Sequence, residues 1–168
     1  MALITPFDDF PIHQTAETLA VPSSSDRNHY DRYWFNGFSE QKDFLFEIGV
    51  GFYPNRHIMD AHFSISTAGK QYSYHASARM NPARYPINIG PISLEILEPM
   101  HKIRFSLKDP EKKLSCDLIF NAITEPHLEP KSLMIEGTRK ILETSRFTQF
   151  GKWDGSCLLY TSPSPRDA

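Results

Sequence analysis

An all-β fold, an antiparallel β barrel or sandwich, is what this sequence predicts, and three observations predict it. Thirteen prolines and eight glycines break the 168-residue chain into short runs. Within the runs apolar and polar residues alternate with a period of two, the spacing that turns one face of a strand to a core and the other to water. Phe, Tyr and Trp make up 12% of the chain, and aromatic residues fit a pleated, half-buried surface. Helical periodicity is nearly absent.

Residues 1–29 read as an extended lead-in containing the polar loop Pro22–Asn28. The first strand is expected at Tyr30–Phe38 and the second at Asp43–Tyr53. The second puts Phe44, Phe46, Ile48, Val50 and Phe52 on one apolar face, and Leu45, Glu47, Gly49, Gly51 and Tyr53 on the other. Two glycines two residues apart leave room on one face only, which is either ligand space or a bend of the sheet. A third strand, His57–Thr67, sets Met59, Ala61, Phe63 and Ile65 against Asp60, His62, Ser64 and Ser66. The turn Ala68–Lys70 leads into Gln71–Met80, where Tyr72, Tyr74, Ala76 and Ala78 alternate with Ser73, His75, Ser77 and Arg79.

Residues 81–91, with three prolines, read as a loop. Strands follow at Ile92–Glu98, His101–Asp109 and Leu114–Thr124, joined by hairpin connections at Glu98–Lys102 and Asp109–Lys113. Glu125–Pro130 reads as a loop, and Met134–Ser145 reads as a strand or a short helix, with the strand preferred. Sequential strands with short connections form a meander, and closing a meander into a barrel protects its edges.

The formal charge of -2 gives no electrostatic case for nucleic acid or an anionic membrane surface. No apolar run approaches the ~18 residues of a membrane-spanning helix, and Met1–Phe10 has no basic or apolar segment of a signal peptide. A cytoplasmic location is the expectation. The last stretch, Cys157–Ala168, back-translates to a transposon end running into a sequencing adapter. It reads as a non-native, adapter-derived tail, so the native chain is expected to continue past Ser156. Cys116, alternating with Leu114 and Leu118, then reads as a single core thiol with no internal disulfide to make. The domain plan is a lead-in over 1–29, one barrel domain over 30–156 and the tail over 157–168.

Several strings are more specific than a pattern: DDFPIHQT (Asp8–Thr15), DRYWFNGF (Asp31–Phe38), GFYPNRHIMDAHFSI (Gly51–Ile65), IGPISLEILEPMHKIRF (Ile89–Phe105) and SRFTQFGKWDGS (Ser145–Ser156). Together they resemble an uncharacterised bacterial family related to the carotenoid 1,2-hydratase (hydroxyneurosporene synthase) and AttH-like, lipocalin-like superfamily. The resemblance covers Pro11–Ser156. It implies two consecutive lipocalin-like barrels packed together. This chain would be the first barrel, with a C-terminal second barrel as its partner. It further implies an internal pocket for a hydrophobic small molecule, lipid or isoprenoid-like, that is either bound or acted on by a cofactor-independent hydratase or isomerase. No catalytic residue of the hydratase is carried over onto this chain.

The candidate chemistry lies in a few side chains. Asp60 and His62, two apart on one strand, share a face at roughly 7 Å between Cα atoms. A carboxylate orients an imidazole, or one serves as acid and the other as base. Glu47 joins them as a candidate acid if it faces an apolar interior. Trp34, Tyr53 and Tyr74 offer aromatic faces to a ligand or a carbocation. Arg56, in the turn after the second strand, is placed to close over a carboxylate headgroup. His13 is placed to plug the barrel mouth. No cofactor is implied, and no metal site, because His57 and His62 differ in parity.

Overall fold

The computed structural model describes residues 4–109 and 114–159. They form an all-β, antiparallel structure with strands β1 (Asp31–Phe38), β2 (Phe44–Tyr53), β3 (Ile58–Thr67), β4 (Lys70–Arg79), β5 (Ile87–Ile89), β6 (Ile92–Glu98), β7 (Lys102–Asp109) and β8 (Leu114–Ala122). These are followed by β9 (His127–Leu128), β10 (Ser132–Glu136), β11 (Arg139–Thr144), β12 (Phe147–Thr148) and β13 (Gly151–Leu159). No helix among the described residues is long and apolar enough to cross a membrane.

The strands make two main sheets, β1-β2-β3-β4 and β13-β8-β7-β6-β5, and two small ones, β10-β11 and β12-β9. The hydrogen-bonded ladder does not close into one barrel among the described residues. The seam between β1 and β13 is bridged by side chains instead. The Trp153 indole donates to the Asn36 carbonyl at 3.3 Å. Its ring packs 5.6 Å from Phe35, 5.4 Å from Phe46 and 5.2 Å from Phe120, tying both sheets together.

The alternation places the core as expected. Phe46, Ile48, Val50 and Phe52 on β2 and Met59, Ala61, Phe63 and Ile65 on β3 are buried against Leu94, Ile103, Phe105, Leu107 and Leu118 of the facing sheet. Phe63 stacks on Phe105 across the interface at 5.7 Å. Ile48, Phe52, Phe63, Leu94, Phe105 and Leu107 are each under 2% exposed, so side chains fill the space between the sheets. Burying one such chain is worth about 1.5–3 kcal/mol.

Three local differences from the sequence reading have physical causes. The loop expected over residues 81–91 contains the short strand β5, which pairs with β6 from Ile87↔Leu94 to Ile89↔Ile92. The single strand expected at Met134–Ser145 is a hairpin, because Gly137, at φ 57, supplies the left-handed residue a tight turn needs. Cys116 is buried, at 1% exposed, but is not a free thiol. The register of β13 on β8 sets it opposite Cys157, Cα atoms 4.1 Å apart, and the two are joined in a disulfide. Cys157–Leu159 thus complete β13. The rest of the expected tail, residues 160–168, and part of the connection expected at Asp109–Lys113, residues 110–113, lie outside the described residues.

The lead-in is fastened, not trailing. Ile12 and Leu19 are 0% and 1% exposed. The Arg84 guanidinium donates to the carbonyls of Pro11, Ile12, Thr15 and Glu17. Asp9, 4% exposed, accepts the Met100 backbone N–H, and the Tyr33 hydroxyl donates to the Asp9 carbonyl. Burial raises the Asp9 carboxyl above its ordinary value, against the lowering effect of the Met100 bond.

Candidate functional site

The outer face of the four-stranded sheet carries the chemistry. Strand registers place Trp34, Gly49, His62 and His75 in one row straight across β1 to β4. The next row toward one end is Arg32, Gly51, Asp60 and Ser77; the next toward the other is Asn36, Glu47, Ser64 and Ser73. Beyond that comes Phe38, Leu45, Ser66 and Gln71. The period-two pattern that buries Ile48 and Val50 forces all of these outward.

The two glycines let neighbouring side chains lie flat. A Cβ on Gly49 would meet the His62 ring at 2.2 Å, and one on Gly51 would meet Asp60 Oδ1 at 2.7 Å and the Tyr53 ring at 3.1 Å. Freed by Gly49, Trp34 from β1 and His62 from β3 both reach Glu47 on β2. Trp34 Nε1–H donates to Glu47 Oε1 at 2.6 Å, and His62 Nε2 lies 3.3 Å from the same oxygen. The His75 ring stands 5.9 Å from that of His62. The Trp34 bond, opposed by burial and helped by the His62 bond, holds the Glu47 carboxyl below its ordinary value. Burial, then the Asp60 charge, pushes the Tyr53 hydroxyl up.

Two depressions mark this face. One of about 250 Å³ is lined by Arg32, Tyr53, Asp60, His62, His75 and Ser77. The other, of about 650 Å³ and widely open, lies at the β1–β2 and β3–β4 turns and is lined by Phe38, Phe44, Leu45, Lys42, Thr67 and Gln71. The first is ionic and polar, whereas the second presents Phe38 and Leu45 at 70% and 52% exposed.

The structure brings together five of the sequence candidates, Glu47, Asp60, His62, Trp34 and Tyr53, but on the outside of the sheet. None of the candidate acids faces the interior. It separates the other three. Tyr74 is in the core at 7% exposed. Arg56 binds the Arg27 carbonyl and Asn28 side chain of the lead-in. His13 lies 3.3 Å from Asp8 and 3.5 Å from Asp31. Arg32 was not singled out by the sequence reading, although its spacing from Trp34 shows that the two share a face. No group of three or more His, Cys, Asp or Glu among the described residues is arranged to hold a metal ion.

No curated protein and no solved structure matches the chain. The sequence matches a family described only as one of unknown function over residues 4–162, and the chain belongs to that family, DUF8625.

Proposed function

We propose that the protein binds an amphipathic small molecule, lipid- or isoprenoid-like, along the outer face of the four-stranded sheet. The observation that carries this reading is the succession of a polar trough and an exposed apolar end on one continuous face. From Gly51 to Leu45 the strand advances six residues, about 20 Å at the rise of a β-strand. That length suits an extended chain. The polar head sits against Arg32, Asp60, His62 and His75; the chain runs past Trp34 to Phe38 and Leu45. Covering exposed apolar surface supplies affinity at about 25 cal/mol per Å². The charged trough fixes orientation.

A second reading is a cofactor-independent hydratase or isomerase. It is favoured by one observation, the Glu47–His62 contact, since a carboxylate that orients an imidazole is an acid–base pair. The trough is open to water, which weakens charge stabilisation, so binding takes precedence.

Native mass spectrometry after incubation with a lipid and isoprenoid extract tests both. A retained ligand that is lost in Trp34→Ala and in Gly49→Ala supports the binding reading. A ligand whose mass shifts by one water supports the hydratase. No retained ligand, or one indifferent to both substitutions, overturns the proposal.

A further inference from the structure

The β10–β11 hairpin stands apart from both main sheets. Among the described residues its strands hydrogen-bond to each other and to no other strand, and none of its residues belongs to the hydrophobic core. Ser132–Glu136 and residues 139–143 are exposed throughout. Leu133, Met134, Ile135, Ile141 and Leu142 are 41% to 59% exposed. An isolated two-stranded hairpin is marginal in water, and its unpaired edges are templates for another strand.

The two edges are not equivalent. On β11 the register shift opposite Met134 and Ile135 leaves Ile141 as a bulge. The same strand carries Arg139, Lys140 and Glu143, with Lys140 and Lys131 both paired to Glu143. Bulges and lysines are the devices that blunt an edge. The β10 edge, Ser132-Leu133-Met134-Ile135-Glu136, has no lysine, no proline and no extra residue.

We propose that β10 pairs antiparallel with β10 of a second copy of this chain, giving a two-fold dimer joined by a four-stranded sheet. Two-fold symmetry requires a self-complementary contact, and the sequence of β10 is one. Centred on Met134, the pairing sets Leu133 against Ile135 of the second copy. Ser132 meets Glu136 of the second copy, and Met134 meets itself. Lys131 of each copy then comes beside the Glu136 end of the other. Apolar residues meet in the middle and opposite charges at both ends, with no like-charge pair. The ligand face of the four-stranded sheet plays no part, so this inference stands or falls separately from the binding proposal.

Sedimentation velocity over a range of concentrations tests it. The expected result is a dimer that Leu133→Lys combined with Ile135→Lys reduces to half the mass, because lysines then face each other across the axis. The circular dichroism spectrum should stay unchanged, since the hairpin contributes nothing to the core. A register test is independent of that variant. Met134→Cys lies on the two-fold axis and should cross-link between copies on oxidation. Leu142→Cys, opposite Met134 on the guarded strand, should not. A monomer at all concentrations, a dimer that survives the lysine variant, or equal cross-linking at both cysteines would overturn the proposal.

Discussion

Asp31 and His13 meet where the lead-in crosses β1, with 3.5 Å between a carboxylate oxygen and a ring nitrogen. Glu47 and His62 meet at 3.3 Å on the outer face of the same sheet. The chemistry is identical and the surroundings are not. Asp31 also accepts the Ile12 backbone N–H at 2.7 Å, and His13 has a second carboxylate partner in Asp8. Glu47 is completed by the Trp34 and His62 side chains, and its own side chain is 45% exposed against 22% for Asp31. A carboxylate–imidazole pair whose carboxylate is completed by backbone N–H is a fastening. One whose carboxylate is completed by exposed side chains above a pair of glycines is available to a ligand.

Replacing Asp31 with Ala puts the largest strain on that contrast. It strips the acceptor from Ile12 N–H and the counter-charge from His13 in a largely buried place. Leaving such groups unsatisfied costs about 2–3 kcal/mol, which for a chain of this size is a fall in Tm of about 4–12 °C. Thermal unfolding followed by circular dichroism measures it. A cost under about 0.5 kcal/mol, the range of an ordinary surface change, would mean that the lead-in is not held by this pair.

The pH dependence sharpens the contrast by sign. The Asp31 bond, opposed by burial and helped by the charges of Asp31 and Asp8, raises His13 above its ordinary value. Its contribution is therefore complete below about pH 6.5, the ordinary histidine value, and is lost as pH rises through the raised one. For Asp31, burial pushes upward, but the bonds from His13 and Ile12 N–H prevail and the carboxyl is lowered. That contribution is present above about pH 3.9, the ordinary carboxylate value, and is lost as pH falls through the lowered one. Asp9 runs the other way. Burial raises its carboxyl, so stability is given up as pH climbs from the ordinary carboxylate value to the raised one. The pair thus contributes most between the two ordinary values. The Tm difference between the native protein and His13→Gln should be greatest near pH 5–6 and shrink toward alkaline pH as His13 loses its proton. A difference independent of pH would show that His13 fastens the lead-in without its charge.

Much of this was legible beforehand, and the exceptions share a cause. The uninterrupted alternation from Phe44 to Phe52 and from Met59 to Ile65 gave β2 and β3 to within a residue at either end, and with them the shared face of Asp60 and His62. Alternation does not say whether a sheet closes. That depends on whether edge strands hydrogen-bond to each other, and here Trp153 occupies one seam with its ring. The spacing of Gly49 and Gly51 announced free room, but the choice of His62 and Asp60 to fill it is a matter of side-chain conformation. Asp9 and Arg84 carried no local signal at all, since their partners lie as far as 91 and 73 residues away. Residues whose partners are neighbours on a strand can be read from the chain, whereas fastenings between distant segments cannot.

Gly49→Ala should move the open pair and leave the closed one untouched. A methyl group there meets the His62 ring, which is the free end of a side chain and can swing away. The expected cost in stability is about 1 kcal/mol, that of a typical substitution. The chemical shifts of His62 should change while those of His13 do not. A shift at His13 would mean that the two pairs are coupled through β1 and are not the separate devices their surroundings indicate.

The smallest effect on stability is expected at Glu47→Gln, and it is the most telling for function. The amide keeps the volume and one carbonyl acceptor for Trp34, and the lost charge is exposed, so stability should move by no more than about 0.5 kcal/mol. The carboxylate is nevertheless the group that Trp34 and His62 converge on. If ligand capture weakens while Tm stays fixed, Glu47 is present to orient the site. If Tm falls as it does for Asp31→Ala, the outer pair is a fastening too, and the ligand face must be sought where Phe38 and Leu45 stand exposed without any carboxylate–imidazole pair.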